Sequence, residues 1–300
     1  MDWGSKGIGS FTAVTFSEVH SAIDPAGLQV GRHPFVVCVV GASRDIGRGI
    51  STSYAKAGAT GLVLASRAVE SLEDTVSACK AINPSIETAA VACDITDAAA
   101  VASLAEQTKQ RFGRVDVVAI NSGYSGMCLT NILDVEPASY QQAVNVNYVG
   151  TFHLARSFIP LLLESVDGAK TFISVGSIAA LIVRGPIANA QYCVSKLAQL
   201  KLLEHVHEEF HERGLKTFSV HPGAVDSAMA RDTAPKELLH GFLWDSPELC
   251  GAFCTWLTAP ETDRGWLCGR LLDAKWDPAE LERRKNEIVS KDLLKTKLAL

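Results

Sequence analysis

The sequence predicts an α/β single domain, a doubly wound parallel sheet with helices on both faces. Three observations lead there. The chain has 300 residues, 47% hydrophobic and 20% charged, a composition that buries a core. Apolar runs of strand length alternate with helix-length segments through most of it, the pattern of repeated βαβ units. The first run, Phe-Val-Val-Cys-Val-Val at 35–40, is apolar at every position. A strand facing water on one side would alternate, so this one is expected to be covered on both faces, as in a parallel sheet.

The elements follow in order. Strand 35–40 ends at Gly41, and a helix of small residues runs on to Gly58, a residue suited to ending a helix. Strand 61–65, helix 69–81, strand 88–92, helix 97–111 and strand 115–120 come next. A long helix is predicted over 137–165, then strand 170–175, helix 190–213, strand 215–220 and a last strand at 267–273. No Pro/Gly-rich linker divides the series and no repeat appears, so residues 35–273 read as one unit, with a lid at about 226–246. Residues 1–34 form a Gly/Ser-rich, aperiodic arm. Residues 274–300 form a charged, helix-prone tail with Pro278 in a first helical turn.

Composition excludes several functions. The net charge is −5, from 28 basic and 33 acidic residues, and phosphate-backbone binding needs clustered Lys and Arg, so no nucleic acid is expected as partner. The apolar runs fall far short of the roughly 20 residues that span a bilayer, so no membrane is expected either. The first residues carry Asp2 and no apolar stretch, so no secretory signal is read there. The eight cysteines form no CxxC pair. Cys250 and Cys254 lie in an apolar helix-like stretch without a nearby His, and His207 and His211 share a helix face without further ligands. No metal site is expected, and the chain reads as a reduced cytoplasmic protein.

In an open parallel sheet, ligands bind beyond the carboxyl ends of the strands. After the first strand stands Gly41-Ala-Ser-Arg-Asp-Ile-Gly47-Arg-Gly49, entering a helix. Glycine lets the backbone approach a pyrophosphate closely, and the helix N-terminus offers free N–H groups and a favourable dipole. Gly4-Ser-Lys-Gly7-Ile-Gly9 is also glycine-rich, but only three residues precede it and no strand can feed it. Twenty residues beyond Gly47, where an NAD site usually carries an acid for the ribose, this chain has Ser66-Arg67. A guanidinium there, with Ser43 and Arg44 in the loop, suits a 2′-phosphate, which favours NADP(H) over NAD.

Tyr192-Cys-Val-Ser-Lys196 places a phenol and an ammonium four residues apart, on one helix face. A tyrosine is a poor acid–base catalyst at neutral pH, and a nearby Lys⁺ favours the tyrosinate. Here the chain resembles the short-chain dehydrogenase/reductase family, over residues 35–273 and on motifs in the family's order. Gly41 and Gly47 match loop glycines. Asp94, followed by Ile95, matches the acid that contacts adenine. Asn121-Ser-Gly123 resembles the family's Asn-Ala-Gly element. Asn147, Ser177, Tyr192 and Lys196 fall at the catalytic set, and Pro222-Gly223-Ala-Val225-Asp-Ser227 resembles the segment that embraces the nicotinamide amide.

The resemblance implies a Rossmann sheet and a set of roles. Tyr192 exchanges a proton with the substrate oxygen, Ser177 hydrogen-bonds that oxygen, Lys196 holds the nicotinamide ribose, and Asn147 holds a water that joins Lys196 to solvent. Ile46 in the loop would join Gly41, Ser43, Arg44 and Gly47 around the cofactor. The expected function is NADPH-dependent reduction of a ketone or aldehyde on a polyketide-like specialised metabolite, as in filamentous-fungal members that the arm and tail resemble. Oxidation of an alcohol with NADP is the alternative direction. A nucleotide-binding scaffold or non-redox catalyst is the alternative of another class. A homodimer or homotetramer is implied.

Two departures from the family pattern stand out. Asp45 replaces the middle loop glycine and brings negative charge near the phosphates. The Ser177 to Tyr192 spacing is about two residues longer than usual, with the surplus in 181–189 beside the substrate. In the lid, Met229, Leu238, Leu239, Phe242, Leu243 and Trp244 either meet a bulky apolar substrate or pack on the core.

Overall fold

A computed structural model describes residues 11–30, 34–236, 245–261 and 263–298. Seven strands form one parallel sheet: β1 (Val36–Val40), β2 (Gly61–Ser66), β3 (Glu87–Ala92), β4 (Val117–Ile120), β5 (Thr171–Val175), β6 (Lys216–His221) and β7 (Arg270–Asp273). Their order is β3-β2-β1-β4-β5-β6-β7, so the chain reverses direction across the sheet between β1 and β4. That reversal opens a crevice above the strand ends.

Alternation of side chains explains the unbroken apolar strands. Val37 and Val39 pack on one face with Leu62, Leu64, Val117 and Ala119. Val36, Cys38 and Val40 pack on the other with Val63, Ala65, Val118 and Ile120. Each face has its own helices, so every strand position is apolar for one of two cores.

The helices are α1 (Asp45–Lys56), α2 (Glu73–Ile82), α3 (Ala98–Phe112), α4 (Pro137–Ala143), α5 (Gly150–Glu164), α6 (Ala190–Phe210), α7 (Ala228–Thr233), α8 (Pro247–Thr258), α9 (Pro278–Arg283) and α10 (Lys285–Ser290). The apolar stretch with Cys250 and Cys254 is α8, which crosses α1 so closely that a Cβ on Gly49 would lie 2.4 Å from the Pro247 carbonyl oxygen. Both cysteines are fully buried there as small apolar residues.

Two predicted helices are interrupted. The 69–81 segment opens with a 3₁₀ turn, Val69–Leu72. The Ser66 and Ser71 hydroxyls both donate to the Ala68 carbonyl, 2.6 Å each, and so hold the chain in a turn before the helix proper. The 137–165 segment is not one helix: a π-helical turn, Val144–Val149, separates α4 from α5. Such turns widen the helix locally and re-aim side chains, and this one carries Asn147. The last strand begins at Arg270, because Gly265–Leu267 forms a 3₁₀ turn.

Arm and tail pack on each other. Thr15 bridges to Trp276, the Phe11 and Trp276 rings lie 5.3 Å apart, and the Arg284 guanidinium sits over the Phe11 ring. Asp277 caps α9 by accepting from the Ala279 N–H at 3.0 Å, with Pro278 in the first turn. Leu281 and Ile288 of the tail and Ile23 of the arm are fully buried. No helix among the described residues is long and apolar enough to cross a membrane.

Candidate active site

The crevice above β1, β4, β5 and β6 holds a cavity of about 940 Å³. On its nucleotide side the loop after β1 turns at Gly41, whose φ is 87°. A Cβ there would lie 2.6 Å from the Ser122 amide nitrogen, and one on Gly47 would lie 1.9 Å from the Gly41 carbonyl oxygen. Both positions therefore require glycine. The Asn121 side chain donates to that carbonyl at 2.8 Å and ties β4 to the loop.

Ser43, Arg44, Ile46, Ser66, Arg67, Asp94, Ile95 and Asn121 line the cavity. Ser66 already donates to the Ala68 carbonyl, whereas Arg44 and Arg67 are exposed. The Asp94 carboxyl is held below the usual range, chiefly by the Thr96 backbone N–H at 2.9 Å, with help from the Thr96 hydroxyl and from Arg67. Thus an anion after β3 faces the Arg67 guanidinium after β2, while Arg44 stands in the loop after β1.

The catalytic candidates converge on the floor. Asn147, with no exposed surface, sits in the π turn. Its Oδ1 accepts from the Tyr124 N–H at 2.9 Å, and its Nδ2 donates to the Tyr124 carbonyl at 2.8 Å and the Ser195 hydroxyl at 2.9 Å. Ser177 follows β5 and begins a 3₁₀ turn, its hydroxyl accepting from the Ala179 N–H at 3.1 Å. Tyr192, Lys196 and Gln199 lie on one face of α6, at spacings of four and three.

Burial holds the Tyr192 phenol above its ordinary range, opposed by a hydrogen bond with Ser177. The expectation that Lys196 brings the phenol down has to be modified. The ammonium lies 5.8 Å from the ring centre and donates to the Val175 carbonyl at 2.9 Å and to Gln199 Oε1 at 3.0 Å. Removal from water lowers Lys196 itself to about 8.

A chain of protein groups then links lysine to asparagine. Gln199 Nε2 donates to the Thr151 hydroxyl at 2.8 Å, and that hydroxyl donates to the Asn147 carbonyl at 2.8 Å. Gln199 and Thr151 were not singled out from the sequence. The available signal was spacing: Gln199 is three residues beyond Lys196, and Thr151 four beyond Asn147.

Pro222, Gly223, Val225 and Ser227 line the cavity after β6. Asp245, also missed, supports this segment from below: its Oδ2 accepts from the Ala224 N–H at 2.6 Å, and its Oδ1 pairs with Lys275 at 2.9 Å. Asn147 and Gly47 alone among the candidates lie behind the wall rather than on it. Of the apolar lid residues, Met229 lines the cavity, while Leu238, Leu239, Phe242, Leu243 and Trp244 lie outside the described residues.

Asp45 has φ 47°, the left-handed region that its glycine predecessor would occupy freely and that Asp tolerates better than most residues. Its carboxylate is not left facing the phosphate path alone. Oδ2 accepts from the Ala228 N–H at 2.9 Å, and Arg44 Nε stands 3.8 Å away.

Comparison with known proteins agrees with this architecture. The short chain dehydrogenase family model matches residues 35–238. The short chain dehydrogenase citE of Monascus ruber is 37% identical over 276 residues, 90% of each chain. The short chain dehydrogenase pigC of the same species is 34% identical, over 95% of this chain and 93% of its own. Among solved structures, levodione reductase superposes with a TM-score of 0.73 at 20% identity, covering 81% of this chain and 96% of its own. A 7α-hydroxysteroid dehydrogenase complexed with NADH and 7-oxo glycochenodeoxycholic acid gives 0.72 at 21%, covering 85% and 96%. The chain belongs to the short-chain dehydrogenase family of oxidoreductases.

Proposed function

We propose that the protein is an NADPH-dependent reductase acting on a ketone or aldehyde carbonyl of a polyketide-like specialised metabolite. The observation that carries this reading is geometric: Ser177, Tyr192 and Lys196 line the same cavity as the glycine loop and Arg67, so a carbonyl held by Ser177 and Tyr192 lies in the space that a dinucleotide on that loop would reach. Tyr192 is the proton donor in that direction.

The cavity walls fit the cofactor. The Gly41 and Gly47 positions admit no Cβ, the N-terminus of α1 faces the loop, and Arg67 directly after β2, with Arg44 in the glycine loop, offers guanidinium groups to a 2′-phosphate. When bound there, the dinucleotide supplies the hydride. Ser177 and Tyr192 hold the substrate oxygen, and Tyr192 gives it the proton. Lys196, anchored by Val175 and Gln199, presents its ammonium to the nicotinamide ribose. The Gln199–Thr151–Asn147 chain fixes that ammonium, and a water on the Asn147 carbonyl would complete the route to solvent.

Relatives from Monascus, Aspergillus and Emericella support the specialised-metabolite assignment. Tyr148 and Phe152, with Val194 and Leu197 of α6, are exposed apolar residues suited to a homodimer or homotetramer. Eight free cysteines suit the cytoplasm. Fluorescence titration with NADPH and NADH tests the cofactor assignment. Tight NADPH and weak NADH binding is expected, and failure to bind either would overturn it in favour of a scaffold.

A further inference from the structure

We propose that Asp45 is a positioning residue that holds α7 across the cofactor cleft, using the carboxylate that replaces a loop glycine. The inference rests on the cofactor reading for its kinetic consequence, but its structural part stands without it.

Four observations meet at this contact. Asp45 and Ala228 are 183 positions apart, on opposite lips of the cavity, one at the start of α1 and the other at the start of α7. The hydrogen bond between them has a charged acceptor and a length of 2.9 Å. The other partner of the carboxylate, Arg44, is mostly exposed and 3.8 Å away, so it contributes little. Asp45 also occupies a left-handed backbone conformation that glycine adopts more readily, so the side chain sits there against a local preference.

The contact sets what α7 covers. Ser227 caps the helix by accepting from the Ala230 N–H at 3.2 Å. Two residues on from Ser227, the Met229 methyl reaches the catalytic floor: a Cβ on Gly123 would lie 3.6 Å from Met229 Cε, 3.4 Å from Asn147 Oδ1 and 3.7 Å from Lys196 Nζ. One hydrogen bond at the glycine loop thereby holds an apolar side chain over Gly123, the backbone position that Asn147 and Lys196 also approach. With the bond made, α7 stays seated and a bound dinucleotide is slow to leave.

The test uses the full chain and two ways of removing the bond. Asp45→Gly removes the acceptor and suits φ 47°. Ala228→Pro removes the donor at the first helical position, where proline is accommodated and where Ser227 already has the extended backbone that must precede it. Hydrogen–deuterium exchange of peptides covering 229–234, without cofactor, is expected to be about tenfold faster in either variant and no faster in the double variant, with β1 and β4 peptides unchanged. Asp45→Asn, which keeps an acceptor, is expected to fall between wild type and Asp45→Gly.

Exchange at the wild-type rate in both single variants would overturn the proposal. Stopped-flow release of NADPH is expected to accelerate several-fold in the same order. Unchanged release together with faster exchange would overturn the kinetic consequence. Absence of NADPH binding in the wild type would instead strike the cofactor reading, leaving the exchange result to decide the contact.

Discussion

The floor and the rim of the cleft are built on opposite terms. On the floor Asn147, Ser177 and Lys196 are at most 8% exposed, Asn147 gives both side-chain N–H donors to protein acceptors, and Lys196 gives two of its three. At the rim, Ile187 lines the cavity at 42% exposed, and Met127 beside the lining Cys128 and Val183 in the loop that leads to the lining Pro186 are apolar and more exposed still, Val183 at 89%. Rigid polar networks fix geometry, which proton and hydride chemistry requires to within a fraction of an ångström. Exposed apolar side chains gain from any apolar ligand that covers them and impose little geometry on it. On the proposed function, chemistry belongs to the floor and substrate choice to the rim. The loop 181–189, where the longer Ser177 to Tyr192 spacing is expected to be taken up, contains the rim residue Ile187.

The sharpest way to break this division is at Tyr192. Tyr192→Phe keeps the ring and removes the proton, so turnover should fall by about a thousandfold or more while NADPH titration stays near wild type. Undiminished turnover would take Tyr192 out of the reaction. Next in size is Arg67→Asp, which should move the NADPH to NADH preference, measured as kcat/KM for each, by about ten- to a hundredfold toward NADH. An unchanged ratio would remove the guanidinium from the 2′-phosphate.

Burying the Lys196 ammonium costs stability, a cost that its proposed role on the floor would account for. Its folded value of about 8 lies below the unfolded 10.5, so between those pH values the unfolded chain binds more protons. Stability therefore rises with pH through that window, and the penalty, on the order of 3 kcal/mol, is fully present below pH 8. Lys196→Met should abolish turnover and flatten the rise in unfolding free energy between pH 8 and 10. At pH 7 its net effect should be small, because the Val175 carbonyl and Gln199 Oε1 lose a donor, at about 1–3 kcal/mol. A rise that persists in the variant would place the titrating group elsewhere.

The sheet, the glycine loop and the facing of Tyr192 and Lys196 were legible because each rests on a local rule. Uninterrupted apolar strands need two covered faces, Gly41 needs φ 87°, and Tyr192 and Lys196 need only a helix to face together. What was not legible depends on partners far along the chain. Nothing in 137–165 announces the π turn that carries Asn147. Nothing near Asp45 indicates that its carboxylate meets Ala228 rather than phosphate. Phe11 and Thr15 of the arm pack on Trp276 and Arg284, more than 260 positions away.

The smallest effect should come from the rim, and it decides whether the division holds there. Val183 is almost fully exposed in the loop between Ser177 and Tyr192, so Val183→Ser removes apolar surface without leaving a hole in the core. Stability should change by no more than about 0.5 kcal/mol. If the rim covers the substrate, the methyls lost are worth about 1 kcal/mol of contact, a KM increase of about fivefold for a large apolar ketone. A small ketone that stays on the floor should show no change, and kcat should be constant for both, since binding lost equally in ground and transition states raises KM alone. A fall in kcat with KM unchanged would mean that this loop positions Ser177 or Tyr192, and the rim would then belong to the catalytic machinery.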